Sequence, residues 1–397
     1  MLLALTCGFA LSQAFRTVAA IMAPPLQKEF GLTPSQLGIF AGSFHLAFGG
    51  LQLFMGIGID VWGPRRTVLA VSPLAIAGAL LAAFASDFTH LLLAQIVIGV
   101  GCAPAFVVCT VFISRRFSAE RFATVSGATL GLGTVGLLLT GTPLAWLIQQ
   151  ASWRAGFIAL AVAAAAAWLA IYVVVRDPEL PAQEAAAAPT NPLAALRGYG
   201  ELFRLPFTWG IIVLGLFTYA SFLTLRGLWL GPLLVERHGF SLVQTGNVAL
   251  AFSIISAFGP PTFGRLDPGV QRRRSWLVRY TVGMAVLFAV MAAARSVWVD
   301  VGIGAVLSLV SGYMVLQYAD VRSAYPPRMI GRAMAVFTMA MFLGVALMQW
   351  FTGGAASLAG NLHIEAYAAV LGAIALSLCL GCAAFVALPA PARRAAD

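Results

Sequence analysis

The stretch Gly56-Ile57-Gly58-Ile59-Asp60-Val61-Trp62-Gly63-Pro64-Arg65-Arg66 decides how the chain is read. An apolar run ends there in an acid, a tight Gly-Pro turn and two arginines, and a second apolar run follows. Adding 208 to the numbers gives a partial echo, with Gly56 falling on Gly264, Arg65 on Arg273 and Arg66 on Arg274. The same shift, without a gap, places Pro24 on Pro232, Gly31 on Gly239, Thr33 on Ser241, Gln36 on Gln244, Gly38 on Gly246 and Gly136 on Gly344. Landmarks kept at one spacing over most of a chain indicate an internal duplication. A duplicated membrane protein is first of all a transporter candidate.

Composition supplies the membrane. The 397 residues are 60% hydrophobic and 10% charged, whereas a soluble domain carries about a quarter charged residues. Runs of about 20 apolar residues cross a bilayer as helix. Twelve are expected, at 2–23, 34–57, 67–86, 91–113, 123–148, 154–175, 207–232, 242–264, 276–295, 300–320, 331–356 and 364–388. The fold class is therefore an all-α integral membrane protein: a six-helix bundle at 1–175, a connector at 176–206 and a second six-helix bundle with a short tail at 207–397. The connector, with its Ala-rich run and Pro189 and Pro192, suits a surface tether with a short helix near 193–203. Met1 leads straight into a run too long for a signal peptide and lacking its basic start, so 2–23 reads as the first span.

The formal net charge of +10 would suggest nucleic acid in a soluble protein. Here its placement decides otherwise. Outside the spans, only Lys28, Arg154, Arg237 and Arg295 avoid one set of alternate loops; the rest of the basic residues share loops 58–66, 114–122, 176–206, 265–275 and 321–330 and the C-terminus. The positive-inside rule makes that side the cytoplasm, with both termini on it and no nucleic-acid partner. The five cysteines lie in apolar runs; Cys379 and Cys382 have CxxC spacing but no other ligand nearby, so packing and not metal binding is expected. Met334, Met339, Met341 and Met348 read the same way. Gly127, Gly131, Gly133 and Gly136 in the fifth span, and Gly227 and Gly231 in the seventh, allow close helix approach or bending during transport.

Twelve spans in two halves, with Gly-x-x-x-Asp-x-x-Gly-Pro-Arg-Arg between the second and third, resemble the major facilitator superfamily over essentially the whole chain. The resemblance implies a gate at the cytoplasmic end that holds the halves together in the outward-facing state. Gly56 would permit close packing, Asp60 would pair across the gate, and Arg65 and Arg66 would supply its charge partners. Gly264, Arg265, Asp267 and Arg273 would form the second copy. Two departures weaken the match: Val61 stands where the family usually has a basic residue, and Asp267 comes one place early. The arginines could instead serve only to orient the loop.

Charge inside a span is expensive in lipid and normally faces a cavity. Arg16 lies deep in the first span and Arg226 similarly deep in the seventh, two residues out of strict repeat registry. In the resembling fold both helices line the central cavity, and two guanidiniums there would hold an anion through charge-assisted bonds. The alternative is that each snorkels toward the headgroups. Helical spacing adds Gln13 to the face of Arg16, joins His45 to Gln52, Gln95 to Cys102, and Tyr313 to Gln317 and Asp320, and makes a stripe of Tyr219, Phe222, Arg226 and Trp229. Gln13, His45, Tyr219, Trp229, Tyr313 and Gln317 are thus candidate substrate-binding residues beside the arginines. Each has a plainer reading: His45 bonding a neighbouring helix, Trp229 in the aromatic belt, Asp320 paired with Arg322 or Arg328.

These readings point to a secondary transporter of a small organic or inorganic anion, working by alternating access in the cytoplasmic (bacterial inner) membrane. An ion gradient (proton or sodium) or a counter-substrate would drive it. No phosphate-binding Gly-rich loop ending in Lys-Ser/Thr occurs, so ATP is not the energy source. No metal or other cofactor, a monomer, and no enzymatic activity are expected, since HExxH and GxSxG are also absent. The alternative is proton-coupled export of drugs or metabolites. Gly127 and Gly136 match part of an exporter signature, but Thr140-Gly141 stands where its Gly-Pro would follow, and no acid lies mid-membrane in the first half. A sensor that keeps the fold without transport would need a partner-binding segment larger than the connector.

Overall fold

The computed structural model describes residues 1–176 and 199–391, without the side chains of Asp60, 119–120, 122–124 and 327–328. Among these residues, twelve helices are long and apolar enough to cross a membrane. In chain order they are α1 (Leu2–Phe30), α2 (Pro34–Ile59), α3 (Pro64–Ala83), α4 (Phe88–Arg116), α5 (Val125–Gln150), α6 (Trp153–Val174), α7 (Pro206–Arg237), α8 (Leu242–Arg265), α9 (Val270–Ala293), α10 (Val297–Ala324), α11 (Met329–Asn361) and α12 (Ala366–Ala387). Most of the connector lies outside the described residues; of the helix expected at 193–203, residues 199–203 are helical.

The duplication is written into the backbone. α1 ends at Gly31, whose φ of 61° is the left-handed cap glycine tolerates without strain, and α7 is followed by Gly239 at φ 68°. Two residues on, Thr33 and Gln36 form a capping box at the start of α2, and Ser241 and Gln244 form the same box at the start of α8. Each box satisfies two backbone N–H groups that the first turn of a helix leaves unpaired. α1 continues through Pro24 and Pro25 to Phe30, further than residue 23, which places Arg16 near the middle of the helix. α7 widens into two π-helical turns, Leu225–Trp229 and Leu233–Arg237.

The halves meet along three pairs of helices. At the crossing of α1 and α7, Gly231 lies directly against the Ala20 carbonyl and leaves no room for a Cβ. Beside it on one flank, Gly38 of α2 lies against the Gln349 carbonyl and Gly353 of α11. On the other flank, Gly246 of α8 lies against Gly141, Thr142 and Ala145 of α5. Subtracting 208 from 246, 349 and 353 gives 38, 141 and 145, so the two flanks are copies of one contact. In lipid there is no hydrophobic drive between helices, so such small-residue approach, which maximises dispersion contact, holds the halves together.

Side chains extend the closure at the end away from the termini. Ser35 N donates to Ser357 Oγ across α2 and α11 at 3.0 Å, and Thr142 Oγ1 donates to Asn247 Oδ1 across α5 and α8 at 2.7 Å. One large apolar cluster runs through both halves. Two smaller clusters lie toward the basic end, the end carrying the termini. One, around Phe9, Ile59, Val108 and Phe112, belongs to the first half. The other, around Ile211, Val321, Met329 and Phe337, belongs to the second, with Leu53 of α2 packed on it. The halves are thus joined at the far end and largely separate at the basic one.

Candidate substrate site

Arg16 and Arg226 flank the crossing of α1 and α7. A Cβ built on Gly227 would lie 3.3 Å from the Arg16 carbonyl oxygen, so the two backbones touch where both side chains leave them. The side chains then part. The Arg16 guanidinium lies against the rings of Phe48 (α2) and Phe342 (α11), 4.4 and 4.7 Å from their centroids, which are themselves 4.6 Å apart, with Tyr219, Tyr318, His45 and Cys102 as neighbours. Arg226 turns to the opposite flank, where Nη2 donates to Ser253 Oγ (α8) at 3.1 Å and the Leu137 carbonyl (α5) at 3.5 Å. Ser253 is the repeat counterpart of His45, since 253 minus 208 is 45. The duplicated fold therefore gives each arginine a helix of its own half on one side and a helix of the other half on the other.

Both guanidiniums are enclosed by protein, at 7% and 3% exposure, so neither snorkels toward lipid. Among the described residues neither is paired with a carboxylate. Burying an ion costs several kcal/mol after relaxation. Two aromatic rings return up to about 2 kcal/mol each for Arg16, and with centroids 4.6 Å apart both lie to one side of it. Arg16 Nε, Arg226 Nε and Arg226 Nη1 have no hydrogen-bond partner. Unfilled N–H groups on buried cations are open to an acceptor, whether an anion or water.

The other sequence candidates divide. His45, 1% exposed, places Nδ1 3.2 Å from the Ala41 carbonyl and leaves Nε2 unpartnered. Gln13 is half-buried one turn below Arg16, and Tyr219 packs edge-on against Phe342 at 5.4 Å. Trp229 donates its indole N–H to Thr352 Oγ1 at 2.9 Å, inside the second half and away from the aromatic belt. Tyr313 shares a hydrogen bond with Thr281, and Gln317 exchanges two with Thr218. The structure brings His45 and Tyr219 to Arg16; Trp229, Tyr313 and Gln317 have their polar atoms taken by helix neighbours. Gln349 (α11), fully buried with both amide atoms unpartnered, escaped the sequence reading. It is a lone amide in a methionine-rich span and makes no stripe.

The gate residues lie at the basic end. Arg65 donates to the Val175 and Tyr172 carbonyls at 2.7 and 3.0 Å, capping the last turn of α6. Arg274 caps α12 in the same way, through the Phe385 and Leu388 carbonyls, so the structural counterpart of Arg65 is Arg274 and not Arg273. Arg273 instead grips Asp267 through two bonds, at 2.6 and 3.1 Å, and these hold the Asp267 carboxyl below the ordinary carboxylate range. Arg66, Gly264 and Arg265 are exposed. A Cβ on Gly56 or Gly264 would meet nothing within 4 Å. The close approach expected at Gly56 is not made in this conformation, whose halves stand apart at that end. Asp60 falls within α2, and its side chain lies outside the described residues.

A buried ionic cluster at the far end was also missed. Asp300 Oδ2 accepts from Arg237 Nη1 at 2.9 Å and lies 2.7 Å from His238 Nε2, while Glu365 accepts from Arg237 Nη2 at 3.2 Å. It ties the ends of α7, α10 and α12 together. Its members sit at separate helix ends, where sequence spacing carries no signal.

Comparison with known proteins adds the lineage. The family model for the Major Facilitator Superfamily matches residues 5–349. The chain belongs to that superfamily. Among relatives within it, the chain is 24% identical over 291 residues to the probable sulfoacetate transporter of Cupriavidus necator, covering 70% of this chain and 66% of that one. It is 23% identical over 269 residues to the hexuronate transporter of Bacillus subtilis, covering 65% and 61%. The chain thus spans slightly less than two thirds of the length of these superfamily relatives. In fold it is similar to a bacterial homologue of the human lysosomal transporter Spinster in an inward-facing and occupied conformation, at a TM-score of 0.76 and 17% identity, covering 97% and 95% of the two chains.

Proposed function

We propose that the protein is a secondary transporter of a small organic or inorganic anion, working by alternating access and driven by an ion gradient or exchange. The observation that carries the reading is the pair of buried guanidiniums at the α1–α7 crossing, unpaired with carboxylates among the described residues and with N–H groups unfilled. Because the two side chains leave the crossing toward opposite flanks, an anion arriving between the halves would fill the open N–H groups of one flank and favour one arrangement of the halves, which couples binding to the change of open gate. The sulfonate and sugar-acid transporters among its relatives support an organic anion. With the basic end taken as cytoplasmic, closure at the far end makes this conformation inward-facing. Arg65, Arg66, Asp60 and their second-half counterparts would then latch the basic end only when the halves close there. A monomer suffices, since the site lies within one chain. Export of drugs gains less support, because the buried mid-span charges are cationic.

The test is a thermal-shift screen of detergent-purified protein against anions, cations and neutral solutes, with Arg16→Ala and Arg226→Ala in parallel. A ligand favouring the folded state raises the melting temperature by mass action. The reading expects an anion to stabilise the wild type but not the variant whose flank it fills. Stabilisation by lipophilic cations or neutral drugs alone, equal in all three proteins, would transfer the case to the exporter. Counterflow of the stabilising anion into proteoliposomes then establishes transport.

A further inference from the structure

Gln349 stands on the Arg16 flank of the α1–α7 crossing. Its Nε2 lies 3.9 Å from a Cβ built on Gly227, the residue after Arg226, and that same point is 3.3 Å from the Arg16 carbonyl. Two turns before it on α11, Phe342 covers one face of Arg16. The amide is fully buried, and neither Oε1 nor Nε2 has a partner. A polar side chain left empty there costs stability unless something fills it, and the apolar alternatives Leu and Met are used freely elsewhere in α11.

The hydrogen-bond inventory states what the filler must carry. A carbonyl only accepts, so the His45 Nδ1 that faces the Ala41 carbonyl bears a proton, and in the neutral imidazole Nε2 is then a bare acceptor. On the Arg16 flank the open donors are Arg16 Nε and Gln349 Nε2. The open acceptors are His45 Nε2 and Gln349 Oε1. An ion with acceptor oxygens alone, such as nitrate or a plain carboxylate, fills the donors and leaves the acceptors empty. Gln349 Nε2 can serve His45 Nε2, but Oε1 still calls for a donor.

We infer that the substrate is an anion bearing a hydroxyl group, a hydroxycarboxylate or hydroxysulfonate, with Arg16 holding the anionic group and Gln349 reading the hydroxyl. This inference rests on the anion-transport reading and narrows it. A site built to bond a hydroxyl discriminates strongly against the analogue lacking it, because its own buried groups are then left unpaired.

The experiment is a titration by thermal shift with matched pairs: lactate against propionate, gluconate against hexanoate, and 2-hydroxyethanesulfonate against ethanesulfonate. In at least one pair the hydroxylated member should bind about tenfold or more tightly than its partner. In Gln349→Met, which keeps the length and removes the amide, that preference should fall to within about twofold, while the melting temperature of the ligand-free protein rises because two unfilled polar atoms are gone. If wild type binds both members of every pair equally, the hydroxyl inference is overturned and anion transport stands. If no anion of any pair shifts the wild type, the anion reading itself fails. Should Gln349→Met not survive purification, Gln349→Asn withdraws the amide by one methylene and must also narrow the preference; an unchanged ratio there overturns the inference.

Discussion

The first and last six spans share a backbone plan and use charge in opposite ways. In the first half, the far end carries exposed pairs among the described residues, Glu29 with Arg154 at 40% and 39% side-chain exposure and Asp87 with His90 at 53% and 47%. In the second, the far end buries Arg237, Asp300 and His238, at 7%, 1% and 6%. At the centre the pattern reverses. Arg16 is cushioned by two aromatic rings, while Arg226, its counterpart, has one hydroxyl and one carbonyl. Duplication copied the glycine contacts that set helix separation and left side-chain chemistry free to diverge. Symmetric geometry with asymmetric chemistry suits a carrier, whose gates must alternate and not move together.

The far ends offer the sharpest break. Asp300→Ala takes the shared carboxylate from buried Arg237 Nη1 and His238, leaving Arg237 only Glu365, and should cost about 3 kcal/mol, against about 1 kcal/mol or less for Glu29→Ala at its exposed pair. Unfolding midpoints of the two purified variants decide it, and equal losses would erase the distinction. Next come the central arginines without ligand. Arg226→Leu removes an uncompensated cation and should stabilise the protein by an amount on the order of 2 kcal/mol. Arg16→Leu gives up two ring contacts and should gain less or lose outright. Matching gains would mean that the rings do not cushion Arg16.

The smallest effect lies in the basic-end turns. Because the folded Asp267 carboxyl titrates below its unfolded value of about 3.9, the Arg273 clasp contributes fully above that pH. The contribution is lost as pH falls through the lowered folded value. Hydrogen exchange in the turn after α8 should accelerate below about pH 4 by an amount equivalent to about 1 kcal/mol, and in Asp267→Asn it should not respond to pH. A pH response surviving in that variant would place the titrating group elsewhere.

What the sequence made legible was whatever depends on one helix at a time. Span count, the 208-residue shift, the caps at Thr33 and Ser241, and the depth of Arg16 and Arg226 all follow from local composition and spacing. Spacing also puts Tyr313 with Gln317, and Arg226 with Trp229, on common faces, but it cannot say which helix that face meets. Thr218, Thr281 and Thr352 claimed those polar atoms from other spans. Gln349 stayed hidden for the converse reason, since a single amide makes no pattern and only its empty surroundings mark it. Arg274, not Arg273, proved the match for Arg65 because the two turns are built differently: Gly63 and Gly269, both at positive φ, are 206 residues apart and not 208.

The three apolar clusters also divide the molecule thermodynamically. Phe112 and Phe337 belong to separate basic-end clusters with no common member, so the costs of altering them add. Phe48 and Phe342, packed ring to ring at 4.6 Å across the halves, share one guanidinium, so their costs do not. The far end behaves as a single cooperative unit and the basic end as two independent ones. A perturbation felt by one half at the basic end reaches the other through Leu53 of α2, which packs on the second half's cluster, or through the large cluster that both halves share.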